Sequence, residues 1–235
     1  MPIKIDVVNP KTTALLVIDM ENDFVAPGAP FEVKAAQKIM PTLKKLIGFC
    51  RQSGIKVIYT THVHRPDGSD MGRFADIYPA IVDRVGLVDG TKGIEIFDEI
   101  APQAGEIVIK KHRYSAFFGT DLNMVLRGQG VDTVVVAGVT TEDCCHATAR
   151  DAMFQDYKVL FLSDCTGTYD YPDLGYGDLP AAEVHRSSLV ILALSTAHVL
   201  TASDFMARVK SKAPIKRAAA ANRKTGVKKK RARAR

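Results

Sequence analysis

The chain has 235 residues, 46% of them hydrophobic, enough to bury a full core as one α/β domain. It holds no run of about 18 apolar residues, and Met1–Asp6 lacks the apolar stretch of a signal peptide, so neither a membrane span nor a secretory leader is expected. The net charge of +6 hides two segments: twelve of the 32 Lys and Arg fall in residues 210–235, which hold no acid, leaving 20 basic and 26 acidic side chains in residues 1–209, a net of −6.

Residues 13–19, Thr-Ala-Leu-Leu-Val-Ile-Asp, form an almost continuous apolar run closed by Asp19. That is the composition of a central parallel strand, with a carboxylate at its carboxyl tip. Met20–Pro30 is loop chemistry that keeps Phe24 close to this tip. Ile39, Leu43, Leu46, Ile47 and Cys50 recur at helical spacing within Glu32–Gln52, and Ser53-Gly54 stops the helix. Ile55–Thr61 is a second strand and runs into His62-Val63-His64, a histidine pair with too few further ligands nearby to define a metal site. Met71–Ile100 has Gly and Pro scattered through it and reads as the irregular kind of stretch that forms lids or subunit contacts. Glu106–Lys111 is a third strand with Lys111 at its end. Thr120 or Asp121 caps a helix that begins at Leu122 and is terminated by Gly128 and Gly130.

The most informative stretch follows. Thr133-Val-Val-Val-Ala is a buried strand that Gly138 breaks, and a helix then runs to about Asp156. Thr140 and Thr141 are candidate N-caps, and Thr140 with Asp143 fits a capping box. Cys144 therefore falls in the first turn of a helix at the carboxyl end of a strand, where the unpaired N–H groups favour a thiolate and can receive an oxyanion. Glu142 and Asp143 oppose the thiolate, and an ordinary buried cysteine stays open as the other reading of Cys144. Tyr157–Ser163 is a fifth strand, Asp164–Leu179 a Tyr-, Gly- and Asp-rich loop, and Pro180–Leu194 a helix; a short strand and helix fit between Ala197 and Val209.

Strands and helices alternate throughout. The expected fold is a single Rossmann-like, three-layer α/β domain over residues 1–209, with a mostly parallel sheet of about six strands and helices on both faces. Residues 210–235, basic and almost without large apolar side chains, are expected to be disordered. They suit a weak contact with nucleic acid or another polyanion, and equally a merely solubilising role. The four cysteines, Cys50, Cys144, Cys145 and Cys165, follow no metal or disulfide spacing and are expected as free thiols in a cytoplasmic protein.

Asp19, Lys111 and Cys144 thus sit at the carboxyl ends of different parallel strands, where open α/β sheets bind ligands. Together they supply a base, a cation and a nucleophile at one rim. Here the chain resembles the isochorismatase-like cysteine hydrolases, over roughly residues 12–209. The resemblance is carried by Leu16-Val-Ile-Asp-Met-Glu-Asn-Asp-Phe24, Lys111-His-Arg-Tyr-Ser-Ala-Phe117, Gly138-Val-Thr-Thr-Glu-Asp-Cys144 and Ala147-Thr-Ala-Arg-Asp-Ala152. It implies an Asp19–Lys111–Cys144 triad, a cis peptide at Val139–Thr140 and an oxyanion hole from the Thr140 and Cys144 N–H groups. The chain departs from the family by Glu21 where Gln is usual and by Cys145 where an aliphatic residue is usual. His62 stands where nicotinamidase relatives carry a metal-binding Asp, and the second of their two histidines is missing, so no metal and no other cofactor is expected. His64-Arg-Pro-Asp67 looks more like the ureide-cleaving branch, such as biuret hydrolase.

The resulting expectation is a metal-free cysteine amidohydrolase that cleaves a C–N bond of a small amide, carbamoyl or ureido compound through a thioester. Phe24, His64, Phe118 and Thr141 are the expected substrate contacts, with Tyr114, Tyr169 and Tyr171 as further candidates. The cluster of Asp19, Glu21 and Asp23 disfavours a strongly anionic substrate unless Arg113 or Lys111 offsets it. A homo-oligomer, dimer or tetramer, is expected. The alternatives are an isochorismatase-type vinyl-ether hydrolase, which Cys144 argues against because isochorismatases proper lack it, a binding protein on the same fold, and a nucleic-acid-associated protein that works through its tail.

Overall fold

The computed structural model describes residues 3–209, so the expectations for the basic tail lie outside the described residues. Six strands form one sheet: β1 (Thr13–Ile18), β2 (Lys56–His62), β3 (Ile107–Lys111), β4 (Thr133–Val139), β5 (Lys158–Gly167) and β6 (His198–Leu200). Their order is β3-β2-β1-β4-β5-β6, and every neighbouring pair is parallel. The chain direction across the sheet reverses between β1 and β4, and a crevice opens at the carboxyl ends of strands at such a switch.

β1 and β4 are the most apolar strands, and every residue in both is buried. Alternation along β1 sends Leu15 and Val17 to one face and Ala14, Leu16 and Ile18 to the other, so two cores form. On the first face pack α2 (Lys34–Ser53), through Met40, Leu43 and Ile47, and α7 (Ala202–Arg208), through Phe205. On the second pack α4 (Leu122–Gly128), α5 (His146–Phe154) and α6 (Ala181–Ser195). Two short helices, α1 (Asn22–Val25) and α3 (Pro79–Val82), belong to the rim above the sheet. Among the described residues, no helix is long and apolar enough to cross a membrane.

Three local expectations change. β5 continues four residues past Ser163, into what reads as loop from sequence, because Thr166 and Gly167 pair with Gly138 and Val139 after a register shift. Asp121 makes no side-chain cap to α4; the Thr120 hydroxyl accepts from the Leu122 N–H at 3.2 Å instead. The helix after β4 opens with a wide turn, Thr141–Cys145, in which the Cys145 N–H reaches back to the Thr140 carbonyl (3.0 Å). The Thr140–Asp143 capping box does not form. The Asp143 carboxyl turns instead toward the Tyr171 hydroxyl, 3.5 Å away, and the Thr141 hydroxyl bonds His185 Nδ1 at 2.8 Å.

Candidate active site

The rim of the sheet gathers side chains from four strand ends. Asp19 follows β1 with φ +49°, in the left-handed region, and its N–H is held by the Thr60 carbonyl at 3.2 Å. The Thr60 hydroxyl donates to Asp19 Oδ1 at 2.6 Å, which fixes the carboxylate from the β2 side. Lys111, the last residue of β3, reaches under β2 to place its Nζ 2.7 Å from Asp19 Oδ2. The same ammonium lies 3.4 Å from Cys144 Sγ and donates to the Arg113 carbonyl at 2.9 Å. Asp19 and Lys111 are both fully buried, and Cys144 is 4% exposed. The three residues that the sequence singles out at separate strand ends are therefore in mutual contact, and the Val139–Thr140 peptide is cis.

The electrostatics add burial to the opposing influences on the thiol that the sequence shows. Burial pushes the Cys144 thiol well up from its ordinary value; Lys111 opposes this and Asp19 adds to it. The Cys144 thiol is thus held in its neutral form, because the turn that carries it is buried as well as electropositive. Burial alone would lower the Lys111 pKa, but Asp19 and Cys144 beside it hold the ammonium above the ordinary lysine value.

A cavity of about 370 Å3 opens onto Cys144. Its walls are aromatic and aliphatic: Phe24, Phe31, Tyr78, Ile81, Tyr114 and Tyr169. Tyr78 and Tyr114 join hydroxyls at 2.8 Å, and Tyr169 stacks on Tyr171 with ring centroids 5.2 Å apart. The irregular stretch 71–100 supplies Tyr78, Ile81 and Leu87, so it acts as a wall over the crevice. Of the expected substrate contacts, Phe24 lines the cavity, as do the further candidates Tyr114 and Tyr169. Phe118, His64, Thr141 and Tyr171 do not. Phe118 is 65% exposed on the outer surface. His64 is buried behind His62 with its Nδ1 3.4 Å from Asp70, Thr141 is buried against His185, and the Tyr171 hydroxyl donates to Glu142 at 3.0 Å.

His62 and Asp143 line the cavity, and the sequence reading did not place either among the substrate contacts. His62 ends β2 and lines the cavity, and ligand atoms of Asp19, His62 and Cys144 all lie within 4.8 Å of one another. The strand-end rule that finds Asp19 and Lys111 also applies to His62. Burial, aided by Lys111, holds its imidazole well below the usual histidine range, so it is neutral. Asp143 lines the cavity beside Cys144; burial and Glu142 push its carboxyl up to about 6.

Two donor groups bear on metal binding. In the first, Asp19, His62 and Cys144, the Lys111 ammonium already contacts both the carboxylate and the sulfur. In the second, His64, Asp70 and His112, the His112 Nδ1 proton faces the Val63 carbonyl at 2.6 Å, which leaves its Nε2 as the nitrogen free to bind an ion.

Comparison with known proteins agrees with this geometry. Residues 13–204 match the isochorismatase domain model. A cysteine hydrolase from Pseudomonas syringae pv. phaseolicola, solved by crystallography, superposes with a TM-score of 0.85 at 38% identity, covering 88% of this chain and 96% of that one. A ureidoacrylate amidohydrolase, RutB, from Caulobacter segnis is 32% identical over 177 residues, 68% of this chain and 74% of its own. An Arabidopsis thaliana protein named as a probable inactive nicotinamidase is 38% identical over 159 residues, 66% of this chain and 81% of its own. An α/β sheet of this order with such a site defines a class of small-molecule hydrolases. This chain belongs to the isochorismatase family within it.

Proposed function

We propose that this chain is a cysteine amidohydrolase that cleaves a C–N bond of a small amide, carbamoyl or ureido compound. The observation that carries the reading is the Lys111 ammonium in contact with both Asp19 Oδ2 (2.7 Å) and Cys144 Sγ (3.4 Å) beside a small aromatic cavity. Amide hydrolysis by the amidohydrolase relative supports the reaction class.

Because the thiol is neutral at rest, its proton must leave as the sulfur attacks. Asp19, fixed by Thr60 and Lys111, accepts that proton while Sγ bonds to the carbonyl carbon. The Thr140 and Cys144 N–H groups receive the oxyanion. The tetrahedral adduct collapses, the C–N bond breaks, and Asp19 passes its proton to the departing nitrogen, which leaves as ammonia or an amine. Asp19 then takes a proton from water as the water attacks the thioester; the C–S bond breaks and the thiol regains its proton. Lys111 stays protonated throughout and offsets the charge that moves between Asp19 and Cys144.

The test is an acyl-enzyme trap. Acid quench of the enzyme mixed with excess substrate should reveal, by intact mass, the substrate's acyl group on Cys144. Cys144→Ala should lose both the adduct and turnover. Cys145→Ala should keep turnover within a few-fold, since Cys145 faces the core. Full turnover by Cys144→Ala would overturn the reading. A binding role without turnover is the second reading, and the 38% identity to a relative named as inactive is its ground.

A further inference from the structure

The charge of the cavity carries an inference about substrate class that rests on the amidohydrolase reading. Among the described residues no Lys or Arg lines the cavity, whereas two carboxylates, Glu32 and Asp143, do. The nearest cation, Lys111, has its three donors directed at Asp19, the Arg113 carbonyl and Cys144, and is fully buried. Arg113 is turned away: its guanidinium donates to the carbonyls of Asp70 and His112 and lies over the Phe74 ring, 5.5 Å from its centroid. His62, the remaining basic group on the wall, is neutral. A substrate carboxylate would lose its hydration, find no cation among the described residues and face Asp143 and Glu32. The aromatic walls suit an uncharged or positively charged body.

We propose that the cavity accepts amides and ureides whose non-reacting part is neutral or cationic, and rejects those that carry a carboxylate, so that this chain and the ureidoacrylate amidohydrolase relative divide the family's chemistry by substrate charge. Like charges brought together at a closed site are among the strongest means of refusing a ligand.

Two matched sets test this at fixed ionic strength. The first is para-toluamide, para-carbamoylbenzoate and para-(trimethylammonio)benzamide; the second is N-propenylurea and ureidoacrylate. Ammonia release gives kcat/KM for the wild type, and calorimetry with Cys144→Ala gives affinity for the same compounds without turnover. The neutral and cationic members should exceed the carboxylates by at least about tenfold in both measurements. Glu32→Gln keeps the acceptor that holds the Gly28 N–H (3.0 Å) while it removes a charge, and should narrow the gap by a few-fold. Carboxylates turned over or bound as well as their neutral partners would overturn the charge rule and leave amide hydrolysis standing. Selective binding of neutral members with no turnover by the wild type would uphold the charge rule and remove the amidohydrolase reading. No binding and no turnover in either set would overturn both.

Discussion

At the scale of single residues, Glu21 stands out beside the triad. It is fully buried, and neither carboxyl oxygen has a hydrogen-bond partner among the described residues. Burial and the neighbouring Asp19 hold its pKa well above 4.5. Glu21 is therefore protonated in the folded protein at pH values where the unfolded chain has released the proton. The sign follows from linkage: the folded state binds the extra proton, so the stabilisation is complete below the unfolded value and is lost as pH rises from there toward the raised folded value, by up to about 1.4 kcal/mol per pH unit. Glu21→Gln keeps the shape without the proton. Its melting temperature should match the wild type near pH 4 and exceed it increasingly toward pH 8, by roughly 3–6 °C per pH unit at most for a domain of this size. Asp143 and Asp23 are also raised and tilt the wild-type curve the same way, so the difference between the two proteins isolates Glu21. A gap that does not change with pH would show Glu21 to be charged when folded.

At the scale of elements, the site depends on how closely β1 and β4 approach at their carboxyl ends. Gly138 sits there at φ +117°, and a Cβ on it would lie 2.1 Å from the Ile18 carbonyl oxygen, which belongs to the backbone and cannot swing aside. The glycine that looks like a simple strand breaker is what lets Thr140 and Cys144 reach the level of Asp19. Gly138→Ala should cost about 1–3 kcal/mol from backbone conformation alone and more from the contact, measured as a lower midpoint in urea. Under the proposed mechanism it should reduce kcat more than stability requires, since the strand end that leads into Cys144 must shift. A stable, fully active Gly138→Ala would mean that β1 and β4 can separate without disturbing the triad.

For the whole molecule, charge is divided along the chain: residues 1–209 carry a net of −6 and residues 210–235 carry twelve basic side chains and no acid. The triad and the cavity lie wholly within the described residues 3–209. Removal of residues 210–235 should leave kcat/KM within a few-fold. Any binding of the full chain to DNA or RNA should vanish with the tail and should weaken steeply as salt rises, because neutralised phosphates release counterions. Nucleic-acid binding that persists in the truncated protein would move that role into the acidic body.

The grouping of Asp19, Lys111 and Cys144 was legible before the fold because parallel strands turn their carboxyl ends to one rim, and central ones leave few other places for a charged residue. Asp19 and Lys111 each ended a strand, Cys144 lay in the first turn after a third, and three ends of one parallel sheet share one rim. The strand and helix alternation followed from the same patterns. The tertiary structure alone decided what surrounds the triad. The walls come from stretch 71–100, whose residues have no periodicity to read, and from contacts such as Tyr78 with Tyr114 that join distant segments. It also decided between the opposing influences on the thiol, because an N-terminal turn and its neighbouring acids are visible in a sequence, whereas the burial that raises the pKa of Cys144 arises only when helices close over the sheet. The charge of the cavity belongs to the same level: Arg113 follows Lys111 closely in the chain, yet the backbone carbonyls of Asp70 and His112 draw it away, and the site is left with carboxylates and aromatic rings.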